Sequence, residues 1–410
     1  MANVPVSPEK KDHEAAYSPV LLPMGRNLPV LVASAFLLGG AFMLFRSLLQ
    51  PLVLLLGGSI TIVGVMVSIS EFSMLLPMLI FGEYSDATGR RRPMLIASLI
   101  LIMTGFLFMA ATHWVVLILP VLMTGFAFAL NQPATSAATV ESVPGSRRGR
   151  AFAYRSAGRL MAGVIATILG VVVVRAGNIQ NAFFLFTIFV GINLGLIYWL
   201  LTETLSSPRA ASPSRLFRNI RNWKIPPKLK ILYLYVVVTD TWCYGTGWSL
   251  IYGLLAEFQG VEPTTMLLYT MIMSLTGGLV QFGVAGRMID RTRKWAIVLS
   301  DSIAVPAMLV CALFPGERIF PVVFLLMGFA MAFWGPAVQA LVADHVPRDR
   351  IATEFGKLWG LRGLVSLFPP ILGGILAETY GYSAPLLVNF GVGVISLSVV
   401  LFFLDRGKSP

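Results

Sequence analysis

The chain has 410 residues, of which 56% are hydrophobic and 12% charged, and its mean hydropathy is +0.79. An average soluble chain is about 25% charged, so a water-soluble globule of this length is excluded and a lipid bilayer is the expected solvent. The net charge of +12 would point to nucleic acid in a soluble protein. Here the Lys and Arg residues cluster in alternate short loops instead, the pattern of cytoplasmic loops in membrane proteins. Cys243 and Cys311 both lie inside apolar stretches, which leaves no disulfide framework and no CxxC metal site.

The first 20 residues are polar and mixed in charge, so no cleavable signal peptide is expected and 1–28 reads as a cytoplasmic tail. Twelve apolar stretches follow, at about 29–55, 59–81, 93–112, 114–140, 151–174, 181–202, 230–256, 264–286, 295–314, 319–342, 353–377 and 383–404. Each is long enough to cross a hydrocarbon core of ~30 Å as a helix of about 20 residues. Helices are the expected form because an open sheet edge cannot sit in lipid. The division is a first half at 29–202, a basic linker at 203–229, a second half at 230–404 and a tail at 405–410. Of the 31 basic residues, 24 fall in the alternate loops assigned to the cytoplasm, which places both termini there. Within the linker, Leu216, Ile220 and Trp223 share a helical face beside Arg215, Arg218 and Arg221. That segment is either a short helix on an anionic leaflet or an ordinary basic connection.

Charges at membrane depth each need an account, because an unpaired one costs several kcal/mol. Arg46 lies in the outer half of helix 1 and Glu71 near the middle of helix 2, at depths that differ by about 5 Å at 1.5 Å per residue. They either form an intramembrane ion pair, or Arg46 faces a cavity and attracts an anionic solute. Asn131, Gln132 and Pro133 on helix 4 mirror Trp334, Gly335 and Pro336 on helix 10, and each proline removes one backbone hydrogen bond. Asn131, Gln132, Trp334 and Gln339 are candidate cavity groups. Asp240 sits about 17 Å into helix 7, near mid-bilayer, and Tyr244 and Trp248 follow at helical spacing on the same face. A carboxyl with two aromatic neighbours there suits a substrate or proton site. Asp301, four to six residues from the cytoplasmic end of helix 9, reads as a structural residue near the interface and not as a coupling site. Pro369-Pro370 before Gly373-Gly374 in helix 11 reads as a bend with close packing.

The chain also repeats itself. Gly125-Phe126-Ala127, Pro133, Glu141, Pro144, Arg147, Arg159 and Gly170 return as Gly328-Phe329-Ala330, Pro336, Asp344, Pro347, Arg350, Arg362 and Gly373, all at an offset of 203. Gly82-x-x-x-Asp86 returns as Gly286-x-x-x-Asp290 at an offset of 204. A long period in an apolar chain marks two homologous halves around a shared site.

The stretch Gly82-Glu83-Tyr84-Ser85-Asp86-Ala87-Thr88-Gly89-Arg90-Arg91-Arg92 resembles the GxxxDRxGRR signature of the major facilitator superfamily. So does Gly286-Arg287-Met288-Ile289-Asp290-Arg291-Thr292-Arg293-Lys294. The first copy has Ala87 where the family usually has Arg, and the second has Arg293 where it usually has Gly. The resemblance implies an all-α polytopic fold of twelve transmembrane helices in two six-helix pseudo-repeats, with helices 1, 4, 7 and 10 lining a central cavity. It implies a gating role for Gly82, Asp86, Gly89, Arg90, Arg91, Gly286, Asp290, Arg291, Glu141 and Asp344. Asp86 would face the start of helix 11 near Thr353, and Asp290 the start of helix 5 near Ala151. Glu141 would meet Arg90, Arg155 or Arg159. These contacts would tie the halves together on the cytoplasmic side.

The function expected is a secondary transporter moving a small solute by alternating access, coupled to a proton or another ion, or else an uncoupled facilitator; the alternative from another class is a non-transporting membrane sensor or scaffold. Asp240 and Glu71 are the candidates for protonation; Arg46, Tyr244 and Trp248 are the candidates for solute contact. Helix 5 lacks the GPxxGG-like element common in proton-coupled drug antiporters of the family. No phosphate loop, zinc motif or nucleophile elbow is present. Neither enzyme activity nor a cofactor is expected. The partners expected are the solute, a coupling ion and the bilayer of the cell membrane, without nucleic acid, for a chain working as a monomer.

Overall fold

The computed structural model describes residues 27–143, 148–205, 225, 227–345 and 351–404. The basic linker segment at 216–223 and the loop residues Pro144, Arg147, Pro347 and Arg350 lie outside them. Twelve helical rods follow one another. They are α1 (Asn27–Leu55), α2 (Ile60–Leu75, resuming past Pro77 as Met78–Thr88), α3 (Arg91–Met109), α4 (Ile118–Glu141), α5 (Arg148–Ala176) and α6 (Ala182–Leu200). The second set begins with α7, in pieces between Lys230 and Gln259. It continues with α8 (Pro263–Val280, prolonged by Gln281–Ala285 and Gly286–Arg291), α9 (Arg293–Leu313) and α10 (Ile319–His345). It ends with α11 (Ile351–Val365 and Pro369–Tyr380) and α12 (Ser383–Phe403). Eleven of these rods are long and apolar enough to cross a membrane as continuous helices among the described residues. The twelfth, α7, is not continuous.

Its interruptions have local causes. Leu234–Thr239 is wound as a π-helix, and Asp240–Thr246 resumes α-helical geometry. The Thr241 hydroxyl donates to the Val236 carbonyl five residues back, at 3.0 Å, which occupies an acceptor that the wide turn leaves displaced. π-Turns of this kind are rare inside helices and occur often at functional sites. A second break falls at Gly247, followed by a 3-10 turn at Trp248–Leu250. The Trp248 N–H freed there donates to Oδ1 of Asn389 on α12 at 2.9 Å, as a spanning segment without water requires. α11 breaks as well: Pro369 and Pro370 occupy the first turn of its second piece, where a missing N–H costs nothing. The expected single helices over 230–256 and 353–377 are therefore each divided. Pro133 and Pro336, by contrast, lie inside unbroken α4 and α10.

Small residues set the helix contacts. A Cβ on Gly64 of α2 would sit 2.3 Å from the Pro370 carbonyl of α11, and one on Gly373 would meet the Thr246 carbonyl of α7 at 1.9 Å. The repeated pair Gly125 and Gly328 performs one task twice. Gly125 lets α4 lie against Ser73 of α2, and Gly328 lets α10 lie against Met273 of α8.

The buried apolar residues divide unevenly along the bundle. At the end away from the basic loops, one core joins both halves and includes Leu48, Leu52, Phe108, Phe183, Trp248, Tyr252 and Phe324. Toward the basic loops it becomes two separate cores. One contains Leu31, Met94, Ala138 and Ile197, and the other contains Tyr235, Phe333, Leu341, Leu358 and Val400. Polar ties reinforce the fused end. Gln50 of α1 donates to the Ser249 carbonyl at 2.6 Å and accepts from the Gly253 N–H of α7 at 2.7 Å. The Thr61 and Ser59 hydroxyls donate to Glu378 of α11.

Replacing Gly373 by Leu should destabilise the protein by about 1–3 kcal/mol, the usual cost of overpacking. Gly391→Ala, where a Cβ meets nothing within 4 Å, should leave the thermal unfolding of detergent-solubilised protein unchanged.

Candidate functional site

The residues that the sequence singles out on α7 converge with two others from distant segments. Asp240 is 1% exposed, and its Oδ2 lies 2.7 Å from Nη1 of Arg362 on α11. The Arg362 guanidinium also rests over the rings of Trp334 (5.0 Å) and Trp359 (5.6 Å). The Trp334 indole N–H donates to the Tyr235 hydroxyl at 2.9 Å, and that hydroxyl donates to Oδ2 of Asp301 at 2.9 Å. Tyr244, half-buried, neighbours the same Asp301 carboxylate. The result is a buried cluster drawn from α7, α9, α10 and α11, in which Asp240 pairs with Arg362 and Asp301 is tied in through Tyr235 and Trp334. Tyr235 lies in the π-turn and Asp240 just after it, five residues on, so the wide winding sets how the two side chains face each other.

Two expectations fail here. Trp248 does not share the face of Asp240 and Tyr244. The break at Gly247 rotates it into the fused core, where it is 5% exposed and its ring lies 5.1 Å from Phe324. Asp301 is no interfacial residue either. It is 1% exposed and belongs to the cluster. Arg362 was visible in the sequence only as one member of the 203-residue repeat. Its partner could be found only once the fold brought α11 against α7.

In the first half, Arg46 and Glu71 are both half-buried and make no ion pair with each other. Glu71 lies on the α2 stripe of Gly64 and Leu75 that packs against α11, whereas Arg46 continues the α1 stripe of Gly39 and Met43 that faces α5. The two side chains serve different helix contacts, and their similar depth does not bring them together. Arg46 instead neighbours Arg159 of α5. Arg155, one turn away, donates to the Thr139 hydroxyl (3.2 Å) and to Oε1 of Gln132 (3.5 Å) on α4. Asn131 is buried, while Gln132 and Gln339 are exposed.

The loop between α2 and α3 forms a second constellation. Arg90 is 8% exposed and clasps Glu141 at the end of α4, with Nη2–Oε1 at 2.9 Å, while its Nη1 donates to the Ser85 hydroxyl at 3.0 Å. Glu203, just past α6, accepts from the backbone N–H groups of Arg90 (2.8 Å) and Arg91 (3.1 Å). A carboxylate there satisfies the open N-terminus of α3 and meets its positive dipole end. Glu203 was overlooked as part of a basic linker, although an acidic residue in such a run is itself a signal. Gly89 is required by its φ of +87° and because a Cβ would fall 2.6 Å from Glu203. Gly82 has open space where a Cβ would sit, so no close approach explains it here.

In the second half Arg293 pairs with Asp344, and the offset from Arg90 and Glu141 is again 203. Arg293, which stands where the family usually has Gly, therefore takes the place of Arg90. Arg91 reaches the Tyr198 carbonyl and ring on α6, and Arg291 is exposed. These described pairs brace each half internally, where the sequence reading had them tying the halves together. The side chains of Asp86, Gly286, Asp290 and Thr353 lie outside the described residues.

The family model of the Major Facilitator Superfamily matches residues 31–353 and 241–410. The chain belongs to the Major Facilitator Superfamily. It is 24% identical over 329 residues to the multi-drug resistance efflux pump PmrA of Streptococcus pneumoniae, covering 78% of this chain and 80% of that protein. It is 28% identical over 188 residues to the multidrug resistance protein MdtG of Proteus mirabilis, covering 43% and 46%. Among solved structures, the human organic anion transporter MFSD10 aligns with a TM-score of 0.72 at 18% identity, covering 92% of this chain and 100% of that one. A D-xylose-proton symporter aligns at 0.73 and 14%, covering 93% and 98%. These likenesses establish the superfamily fold: an all-α, multi-pass membrane protein built of two six-helix pseudo-repeats.

Within that fold, breaking one side of the Asp240–Arg362 pair should be costly. Asp240→Asn leaves Arg362 uncompensated and should lower stability by up to about 3 kcal/mol, the low end for a broken buried pair because Arg362 is partly exposed. Asp240→Asn combined with Arg362→Gln should recover part of that loss in the same thermal unfolding assay.

Proposed function

We propose that this protein is a secondary active transporter that moves a small solute by alternating access and draws on a proton gradient. Family membership supports transport, and the relatives described as efflux pumps support outward movement. The buried Asp240–Arg362 pair, with the Asp301 carboxyl joined to it through Tyr235 and Trp334, carries the proton-coupling part of the reading. A proton delivered to Asp240 removes the charge that holds Arg362, and so loosens α11 against the broken helix α7. Both elements bear on the fused end of the bundle, through Gln50–Gly253 and Thr61–Glu378. That end must open for alternating access, and the break at Gly247 supplies a joint. The same reading takes 203–229 as the link between halves and both termini as cytoplasmic. It places the chain in the cell membrane as a monomer, with the fused end toward the outside.

The test uses proteoliposomes with a pH-sensitive dye inside, challenged with organic anions, neutral aromatics and organic cations under an imposed pH gradient. Solute-dependent proton movement is expected for the native chain. Asp240→Asn should retain solute exchange between equal concentrations and lose the response to the gradient. Flux indifferent to pH in the native chain would identify an uncoupled facilitator, and unchanged coupling in Asp240→Asn would remove Asp240 from the mechanism.

A further inference from the structure

Asp301 is a buried carboxyl to which the fold offers a hydrogen bond on one oxygen and no cation. It is 1% exposed. Its Oδ2 accepts from the Tyr235 hydroxyl at 2.9 Å, and a hydroxyl has one proton to give. Its Oδ1 is buried without a hydrogen-bond partner. No ion pair among the described residues includes Asp301, and the cation of this cluster, Arg362, is taken by Asp240. The elements around Asp301 supply no other. α7 presents Tyr235, Asp240, Cys243 and Tyr244, none of them a cation. α10 has no ionisable side chain before Asp344, and α12 has none at all. On α9 itself, Arg293 pairs with Asp344, and Lys294 donates to the Leu401 carbonyl at 2.8 Å, two turns toward the basic loops. The last piece of α8 carries Arg287, Asp290 and Arg291 at that same basic-loop end.

An ionised carboxylate has two acceptor oxygens to satisfy, and one left without a cation inside a bundle neutralises instead of staying charged. The neutral acid asks for less, and one of its oxygens is already bonded. The duplication leads to the same place. The counterpart of Asp301 at the offset of 203 is Ser98 of α3, whose hydroxyl accepts from Nδ2 of Asn193 at 3.0 Å. In the first half, then, a neutral hydrogen-bonding group fills this position. A carboxylic acid there adds one property, a proton that can leave. We propose that Asp301 is a proton-binding residue, protonated in the form described here while Asp240 stays ionised beside Arg362. For its place in a cycle this rests on the transporter reading, to which it adds a second acid. When water reaches the opened cluster, the proton passes from Asp301 to water and the carboxylate left behind is hydrated. Closing again without that proton would bury one negative charge more than the cluster has cations. Return of the proton to Asp301 is a condition of regaining the present arrangement.

The experiment is infrared spectroscopy of the full-length chain in lipid at neutral pH, in light and heavy water, with variant spectra subtracted from the native one. A protonated carboxyl has a carbonyl stretch that ionised carboxylates lack and that moves on deuteration. The native chain should show this band, Asp240→Asn should keep it, and Asp301→Asn should lose it. Tyr235→Phe removes the donor to Oδ2 and should move the band to higher frequency. Asn keeps an oxygen for the Tyr235 hydroxyl, so Asp301→Asn should unfold at the native temperature. Should it fail to fold, Asp301→Glu should retain a band at a shifted frequency.

A native chain without the band overturns the inference, as does a band that survives in Asp301→Asn or stays unmoved in Tyr235→Phe. In the dye-loaded proteoliposomes, Asp301→Asn should move fewer protons per solute than the native chain, and an equal number would remove Asp301 from the cycle. Solute-dependent proton movement by a native chain that lacks the band would sink this inference and leave the transporter reading intact. The band without flux of any organic anion, neutral aromatic or organic cation would sink the transporter reading and leave Asp301 as a proton site.

Discussion

The contact between Asp240 and Arg362 governs how the second half is built. A carboxylate in the middle of a lipid-embedded bundle must be answered by a cation, and the cation must come from a different helix. Arg362 arrives on the first piece of α11, flanked by two indole rings that shield it from the apolar surroundings. To present Asp240 beside Tyr235 and Asp301, α7 abandons regular winding in the preceding turn. The freed backbone groups are then met by Thr241 and Asn389. The polar cluster and the irregular helix are two aspects of one requirement.

The duplicated chain shows what the two halves keep and what they vary. Arg90–Glu141 and Arg293–Asp344 are the same brace built twice. Gly125 and Gly328 are the same close contact built twice. The mid-membrane arginines are also repeated, but only one has a carboxylate. Symmetry therefore holds the scaffold, and its violation falls at the centre, where chemistry is to be expected. The apolar core runs the same way. It is shared at one end and divided at the other, which is the form of two bodies closed against each other at one end and parted toward the basic loops.

Much of this was legible in the sequence because the bilayer is a demanding solvent. It fixes the length of each span, forbids open strands and sends basic residues to one side, so the twelve rods and their repeat stand out without a structure. The centre was harder to read. Spacing placed Asp240, Tyr244 and Trp248 on one face, but regular spacing assumes a regular helix, and Gly247 breaks it. Depth alone suggested pairing Arg46 with Glu71, but depth says nothing of which way a side chain turns around its helix. Asp301 was misplaced for the related reason that distance from a helix end does not tell what packs beside it. Glu203 was hidden by the composition of its neighbours. Local rules sufficed wherever the solvent decides, and failed wherever one helix decides the surroundings of another.

Opening of the fused end is the motion on which alternating access depends. It can be followed directly by electron–electron resonance between spin labels at Leu55→Cys and Phe258→Cys, exposed positions at that end of α1 and α7, with Cys243 and Cys311 replaced by Ser. The account predicts a second, longer distance whose share changes between acidic and alkaline pH, and a response that is lost in Asp240→Asn. A single unchanged distance in lipid under every condition would contradict it.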